Sequence, residues 1–150
     1  MARIRVAIAD DDAGVRSALS DVLAADARFD VVGTVASGDL LCRLVSDVAP
    51  DVVLLDVRMP GGGATAAETL RAGVHRPAVI AVSAITGAAT VASLLRAGAV
   101  GYLAKGRLSA LPDMVARCAA GEVVLAVPSA AEALRRLALD GHGATPAALP

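Results

Sequence analysis

Aromatic residues are almost missing from this sequence, whose 150 residues include one tyrosine, one phenylalanine and no tryptophan. Apolar residues nevertheless make up 56% of the chain, so the core has to be built from Ala, Val, Leu and Ile. Side chains of that size suit strands and helices that pack closely in layers. The length is sufficient for one domain with a full hydrophobic core and a short appendage, and too small for two large domains.

An excess of positive charge, cysteine motifs and long apolar runs are also missing. The formal net charge is -1 and the basic residues are scattered singly, which argues against a nucleic-acid-binding surface in this segment. Cys42 and Cys118 have no CxxC or His-rich companion, so we interpret both as buried core thiols. No apolar run approaches the roughly 20 residues that span a bilayer, and no signal-peptide core follows the N-terminal charges. We therefore expect a cytoplasmic protein without membrane contact.

Five short apolar runs, each about as long as a strand and rich in β-branched residues, alternate with segments of helical spacing. This alternation predicts a doubly wound α/β fold with a five-stranded parallel sheet, because parallel neighbours need a crossover connection that covers a face of the sheet. The near-continuous apolarity of the third run indicates a central strand. The runs are Ile4–Ala9, Val31–Val35, Val52–Leu55, Val79–Val82 and Val100–Leu103.

The pattern changes after Gly121. A sixth short apolar run, Val123–Val127, is followed by Ser129 and Glu132 at the spacing of a capping box, which predicts one extra short helix. Several glycines and prolines among alanines make the last ten residues resemble a linker. We therefore predict a main domain over residues 1–122, a connector with a short helix over 123–140, and a flexible, linker-like tail over 141–150.

Carboxylates follow two of the predicted strands. Asp10, Asp11 and Asp12 come directly after the first run, and Asp56 ends the third. The carboxyl ends of parallel strands meet at one edge of a sheet, where adjacent carboxylates repel each other unless a cation lies among them. Hard oxygen ligands suit Mg²⁺. Alternatively, these acids only cap the following helix, and capping is a sufficient explanation for Asp12.

Ser83 and Lys105 end the fourth and fifth strand regions. A hydroxyl, an ammonium group and Mg²⁺ together stabilise the charge that spreads over the oxygens of a transferring phosphoryl group, and Asp56 supplies a nucleophilic carboxylate. Taken singly, Ser83 is explained as a helix cap and Lys105 as a solvated lysine. Four strand ends with complementary chemistry favour a phosphoryl-transfer site.

Four short motifs carry a resemblance to a known family: Val6-Ala-Ile-Ala-Asp10-Asp11, Leu54-Leu-Asp56-Val-Arg-Met-Pro60, Ala81-Val-Ser83-Ala and Gly101-Tyr-Leu-Ala-Lys105. In order and spacing they resemble the receiver domains of response regulators in bacterial two-component systems. The likeness covers about residues 3–122, and it extends to the receiver part of LuxR/NarL-type transcriptional regulators.

The resemblance implies a flavodoxin-like (βα)5 fold with the receiver domain over residues 1–122. It also implies that a sensor histidine kinase phosphorylates Asp56 with Mg²⁺ as cofactor. Asp11 would bind the metal directly and Asp10 through water, while Asp56 and the backbone carbonyl of Arg58 would complete the protein's share of the metal shell. An enzyme function is not implied, apart from self-dephosphorylation.

The same resemblance assigns a switch. Ser83 and Lys105 would hold phosphoryl oxygens, and Tyr102 resembles the aromatic whose rotamer reports activation. From the residues alone, the favoured interpretation of Tyr102 is a half-buried strand aromatic with its hydroxyl in water. Gly106 stands where many receivers have proline, so a trans bond is expected after Lys105. Gly61–Gly63 lacks the frame of a P-loop and predicts a flexible turn.

Two other functions stay open. A phosphohydrolase of the haloacid-dehalogenase type needs a second acid two residues after its nucleophile, where this sequence has Arg58. A phosphorylation-independent module that acts by protein contacts would retain the fold without the chemistry.

The output of the switch is predicted from the connector. Gly121-Glu-Val-Val-Leu and the short helix after it resemble the connector of LuxR-type transcription factors. We therefore expect contact with DNA only through an effector domain that is not in this chain, or else a stand-alone receiver. Homodimerisation on phosphorylation is common in the family and is expected here.

Overall fold

The computed structural model describes residues 2–148, of which 141–148 are described as backbone. Six strands and six helices alternate along the chain, and a 3-10 segment, Lys105–Ala110, precedes the fifth helix. The strands are β1 Ile4–Ala9, β2 Phe29–Val35, β3 Val52–Leu55, β4 Ala78–Ser83, β5 Gly101–Ala104 and β6 Val124–Ala126. The helices are α1 Ala13–Ala24, α2 Gly38–Val48, α3 Gly63–Ala72, α4 Ala88–Arg96, α5 Leu111–Ala119 and α6 Ala130–Ala148.

All six strands are parallel and form one sheet in the order β2-β1-β3-β4-β5-β6. The predicted doubly wound α/β fold is confirmed, and the sheet has one strand more than the five predicted. The additional strand β6 pairs with β5, with Val124 opposite Gly101. Gly121 has a φ of 97°, a left-handed conformation that turns the chain back after α5 and brings this short apolar run to the sheet edge.

Alternation along the strands divides the core into two layers. In β1, Val6 and Ile8 face one layer and Ala7 and Ala9 face the other, because successive side chains of a strand point to opposite faces. Helices α1 and α5 cover the first layer, whereas α2, α3, α4 and α6 cover the second. The second layer contains the single tyrosine, Tyr102, and apart from Met59 the rest of its buried side chains are aliphatic.

The C-terminal helix α6 is longer than the predicted short helix. Ala133 is fully buried and Leu137 packs against the second core layer, so tertiary contacts anchor the first half. Adding residues to an existing helix costs far less than nucleating one. The backbone is accordingly helical over residues 141–148, where the sequence predicted a linker-like tail. Residues 149–150 of that tail lie outside the described part.

The two cysteines differ in their surroundings. Cys118 is buried as predicted, whereas Cys42 is half-buried on α2, because α2 turns part of its surface to solvent beside α3. Within residues 2–148, no helix combines the length and the apolarity needed to cross a membrane.

Candidate functional site

The acidic side chains after β1 and β3 meet at the carboxyl edge of the sheet. Strand β1 lies between β2 and β3, so the strand order reverses here and opens a crevice. The backbone N–H of Asp56 donates to the carbonyl of Ala9 over 2.9 Å, which fixes the two strand ends side by side. One carboxylate oxygen from each of Asp10, Asp11 and Asp56 lies within 4.8 Å of the others.

Asp10 is the most constrained of the three acids. It is 1% exposed, and its N–H donates to the carbonyl of Val35 over 3.1 Å. Its Oδ1 accepts from the N–H of Asp12 over 2.9 Å. Its Oδ2 is buried and, within the described residues, has no partner with hydrogen-bond geometry, although Lys105 Nζ lies 3.0 Å away. A buried carboxylate oxygen of this kind is suited to a cation.

Lys105 faces two of the acids. Its Nζ lies 3.0 Å from Asp10 Oδ2 and 3.4 Å from Asp56 Oδ1. Burial alone would lower the pKa of Lys105, but the two carboxylates outweigh that effect and hold the pKa above its ordinary value. The lysine therefore stays charged at neutral pH and neutralises part of the negative charge at this edge.

Burial raises the pKa of Asp56, and the neighbouring Asp10 charge raises it further, while Lys105 opposes both effects. A carboxyl group whose pKa is higher in the folded than in the unfolded state destabilises the fold once the pH rises past its unfolded value. The ionised form of Asp56 is therefore held in the folded protein at a cost in stability.

Replacing Asp56 with Asn is expected to raise the melting temperature of the metal-free protein by a few degrees at pH 7. The difference should shrink as the pH falls toward 3.8, the ordinary pKa of this side chain, and vanish below it, because the carboxyl group is then protonated in both states. If the acids bind Mg²⁺, as the sequence predicts, Mg²⁺ should reverse the order, since a ligand that binds only the folded wild type stabilises it. Thermal unfolding with and without Mg²⁺ measures this, and a metal-free variant that melts below wild type at pH 7 would contradict it.

Ser83 and Tyr102 both bind the backbone of the loop after β4. Ser83 is 1% exposed, and its Oγ accepts from the N–H of Ile85 over 2.9 Å. The Tyr102 hydroxyl donates to the carbonyl of the same residue. Tyr102 is fully buried, so the interpretation of a half-buried ring with its hydroxyl in water is wrong. Burial raises the pKa of Tyr102, and the nearby Asp56 charge adds to the rise.

The glycine triplet after Asp56 forms a closely packed turn. Gly61 and Gly62 have φ values of 90° and 77°, which L side chains rarely adopt. A Cβ on Gly63 would lie 2.7 Å from the backbone oxygen of Asp56, so the start of α3 lies directly against the chain at the end of β3. Arg58 is exposed in this turn, and the metal-binding role of its carbonyl stays a prediction.

Other sequence interpretations are resolved at this edge. Asp12 caps α1, because its side chain accepts from the N–H groups of Gly14 and Val15. No cis peptide bond occurs in residues 2–148, in agreement with the trans bond expected between Lys105 and Gly106.

Sequence reasoning missed Arg16. Its Nη1 donates to the carbonyl of Asp10 over 2.6 Å, which places a guanidinium group behind the acidic cluster. A single arginine in a predicted amphipathic helix has no distinguishing pattern. Helical geometry places its side chain over the turn before it, but it does so for every residue of the helix.

Comparisons with known proteins agree with this geometry. A family model described as the response regulator receiver domain matches residues 6–116. The uncharacterized transcriptional regulatory protein YxjL of Bacillus subtilis is 33% identical over 132 residues, which cover 87% of this chain and 61% of that protein. A protein-glutamate methylesterase/protein-glutamine glutaminase of Nocardioides sp. is 36% identical over 108 residues, which cover 70% of this chain and 30% of that protein.

The chain therefore spans less than two thirds of the length of each of these two relatives. Among solved structures, the signal receiver domain of NarL from Mycobacterium tuberculosis is 32% identical with a TM-score of 0.79, and the match covers 81% of this chain and 100% of that one. The family model, the relatives and the solved structure agree, and the chain belongs to the response regulator receiver domain family.

Proposed function

We propose that this receiver domain accepts a phosphoryl group on Asp56 from a sensor histidine kinase, with Mg²⁺ as cofactor, and relays it as a change of surface. The observation that carries the proposal is the meeting of three carboxylates and Lys105 at the ends of β1, β3 and β5. Phosphoryl transfer requires a nucleophile, a cation site and a fixed positive charge, and the three acids together with Lys105, which lies near two of them, can supply all three.

The residues fit Mg²⁺. Among the described residues, the buried Oδ2 of Asp10 has only the Lys105 ammonium beside it, 3.0 Å away, and the other nearby side-chain ligands are carboxylate oxygens, which Mg²⁺ prefers. Asp10, Asp11 and Asp56 would hold the ion, together with the backbone carbonyl of Arg58. When bound, Mg²⁺ supplies positive charge to the phosphoryl oxygens and offsets the mutual repulsion of the acids.

The chain's own groups account for the transfer. A carboxylate oxygen of Asp56 forms the bond to phosphorus while the phosphorus–nitrogen bond of the kinase's phosphohistidine breaks, and the electron pair of that bond stays on the imidazole nitrogen. Lys105 already lies between the acids and would pair with a phosphoryl oxygen. The Ser83 hydroxyl would turn from the Ile85 N–H to a second oxygen.

This rearrangement would change the loop after β4, residues 84–87, which we call the switch loop. Ile85 is held by Ser83 through its N–H and by Tyr102 through its carbonyl, so movement of the hydroxyl frees one of the two contacts. The loop and the fully buried Tyr102 ring would then have two arrangements, which is what a phosphorylation switch requires.

The output is proposed to lie beyond this domain. YxjL is named as a transcriptional regulatory protein and this chain spans 61% of it, which supports an effector domain that contacts DNA in the whole protein. The same proposal includes the division of the chain into receiver, connector and tail. It also includes a cytoplasmic location, self-dephosphorylation and homodimerisation on phosphorylation.

Intact-mass spectrometry tests the acceptor chemistry. Incubation of the folded chain with acetyl phosphate and Mg²⁺ is expected to add the mass of one phosphoryl group, and omission of Mg²⁺ is expected to prevent it. Repeated turnover of a phosphate monoester without a stable adduct would instead support a phosphohydrolase.

A further inference from the structure

We propose that Arg16 is a positioning residue for the metal site, because its guanidinium holds the backbone of Asp10 and so fixes both adjacent carboxylates. The proposal rests on the proposed function, in which Asp10 and Asp11 bind Mg²⁺. Arg16 is half-buried on α1, and its Nη1 donates to the Asp10 carbonyl over 2.6 Å.

The contact matters because of where the sheet ends. The Asp10 N–H still bonds to Val35 in β2, but the Asp10 carbonyl lies beyond the paired residues of β1 and binds Arg16 instead. This carbonyl belongs to the peptide group that joins Asp10 to Asp11. Its orientation therefore sets the direction of both side chains.

Arg16 affects the affinity for Mg²⁺ in two opposite ways. Its positive charge repels a cation at the acidic cluster, so charge alone would make the metal bind more weakly in the wild type. Holding Asp10 and Asp11 in place makes the metal bind more tightly, because the ligands are ordered before binding. A charge-assisted hydrogen bond is roughly twice as strong as a neutral one, which favours the positioning effect.

Calorimetric titration of Mg²⁺ into wild type, Arg16→Met and Arg16→Lys tests the proposal, with Arg43→Met on the exposed face of α2 as control. Arg16→Met is expected to raise the Kd for Mg²⁺ about three- to tenfold, the range that one lost hydrogen bond accounts for. Arg16→Lys keeps the positive charge and a hydrogen-bond donor, so its Kd for Mg²⁺ should lie between those of wild type and Arg16→Met. The control should match wild type.

Tighter or unchanged Mg²⁺ binding in Arg16→Met would overturn the proposal. A purely structural contact would lower the metal-free melting temperature and leave the Kd unchanged, so thermal unfolding without Mg²⁺ accompanies each titration. If Arg16→Met does not fold, the Kd of Arg16→Lys decides. Failure of the wild type itself to bind Mg²⁺ would overturn the proposed function together with this inference, whereas normal wild-type binding isolates the role of Arg16.

A different observation carries a second inference: the structure assigns to Ser129 the coupling between the switch loop and α6. The Ser129 hydroxyl donates to the carbonyl of Thr86 over 2.5 Å. Thr86 adjoins Ile85, whose two backbone groups bind Ser83 and Tyr102. The loop after β4 is therefore held by three side chains, and the third, Ser129, immediately precedes α6.

Helix α6 and the residues before it are packed against the core, so a movement of this loop can displace the helix. Ala133 is fully buried and Val127 is 7% exposed, and Arg96 of α4 pairs with Asp140 near the middle of α6. Given the proposed function, a Ser83 hydroxyl that turns to the phosphoryl group releases the loop, and the Ser129 contact transmits that release to the connector.

Hydrogen exchange with and without beryllofluoride and Mg²⁺ tests the coupling. In the wild type, amide exchange over residues 130–140 is expected to change several-fold on addition of the phosphoryl mimic. Ser129→Ala should lose most of that response while still gaining one phosphoryl group from acetyl phosphate, and Ser46→Ala on the exposed part of α2 should respond as wild type does.

A full response in Ser129→Ala would overturn the second inference. So would an unresponsive α6 in wild type that gains the phosphoryl mass normally. A wild type that is not phosphorylated would instead overturn the proposed function, and with it the coupling.

Discussion

Asp56→Asn is expected to abolish phosphorylation of the chain by acetyl phosphate in the presence of Mg²⁺. An amide lacks the anionic oxygen that attacks phosphorus, and Asp56 is the acid that lies 3.4 Å from Lys105 at the end of the central strand. Intact-mass spectrometry should find one added phosphoryl group on the wild type and none on the variant. The amide retains the size of the side chain, so the loss would reflect chemistry.

Asp47→Asn is the matched control. Asp47 is an exposed carboxylate on α2, and its replacement should leave the added mass unchanged. Phosphorylation of Asp56→Asn at the wild-type level would place the acceptor elsewhere. A folded wild type that gains no mass would favour the phosphorylation-independent module.

Gly63→Ala is expected to lower the free energy of unfolding by about 1–3 kcal/mol, the usual cost of overpacking. The added Cβ would lie 2.7 Å from the Asp56 carbonyl oxygen and 2.8 Å from Val57 Cα. Both are backbone atoms, so the strain cannot be relieved by rotating a side chain. Because the strand end has to shift, phosphorylation of Asp56 should also slow in this variant.

Gly106→Ala serves as its control, since a Cβ there would meet nothing within 4 Å. Its unfolding free energy should stay within about 0.5 kcal/mol of wild type. Urea unfolding of the three proteins measures both values. Equal stability of Gly63→Ala and Gly106→Ala would contradict the close approach of α3 to the acceptor.

The fold could be predicted because apolar residues recur with a different period in strands and in helices. The run Val52–Leu55 is apolar at every position and is buried on both faces in the structure, as parallel strands between two helical layers are. The edge strand β6 was harder to predict, because three half-buried residues have too short a pattern to separate from a loop. Pairing with β5 makes this segment a strand.

The sequence predicted which side chains of the candidate site meet wherever those side chains follow the end of a strand. Asp10, Asp56 and Lys105 follow from the rule that parallel strands end at one edge. The full burial of Tyr102 could not be predicted from the sequence, because its hydroxyl donates to a backbone carbonyl in the loop after β4. The contacts of Arg16 and Ser129 are likewise made to backbone atoms, and backbone atoms leave no pattern in a sequence.

The two edges of the sheet bear on aggregation. An exposed edge strand is a template to which another chain adds, and an apolar sequence such as this one increases that hazard. Here β6 offers only three residues, and β2 carries the exposed Asp30 and a register shift at Val32, between the paired Val31 and Gly33. Neither edge is long, flat and uncharged, so edge-to-edge pairing into fibrils is disfavoured while the domain stays folded.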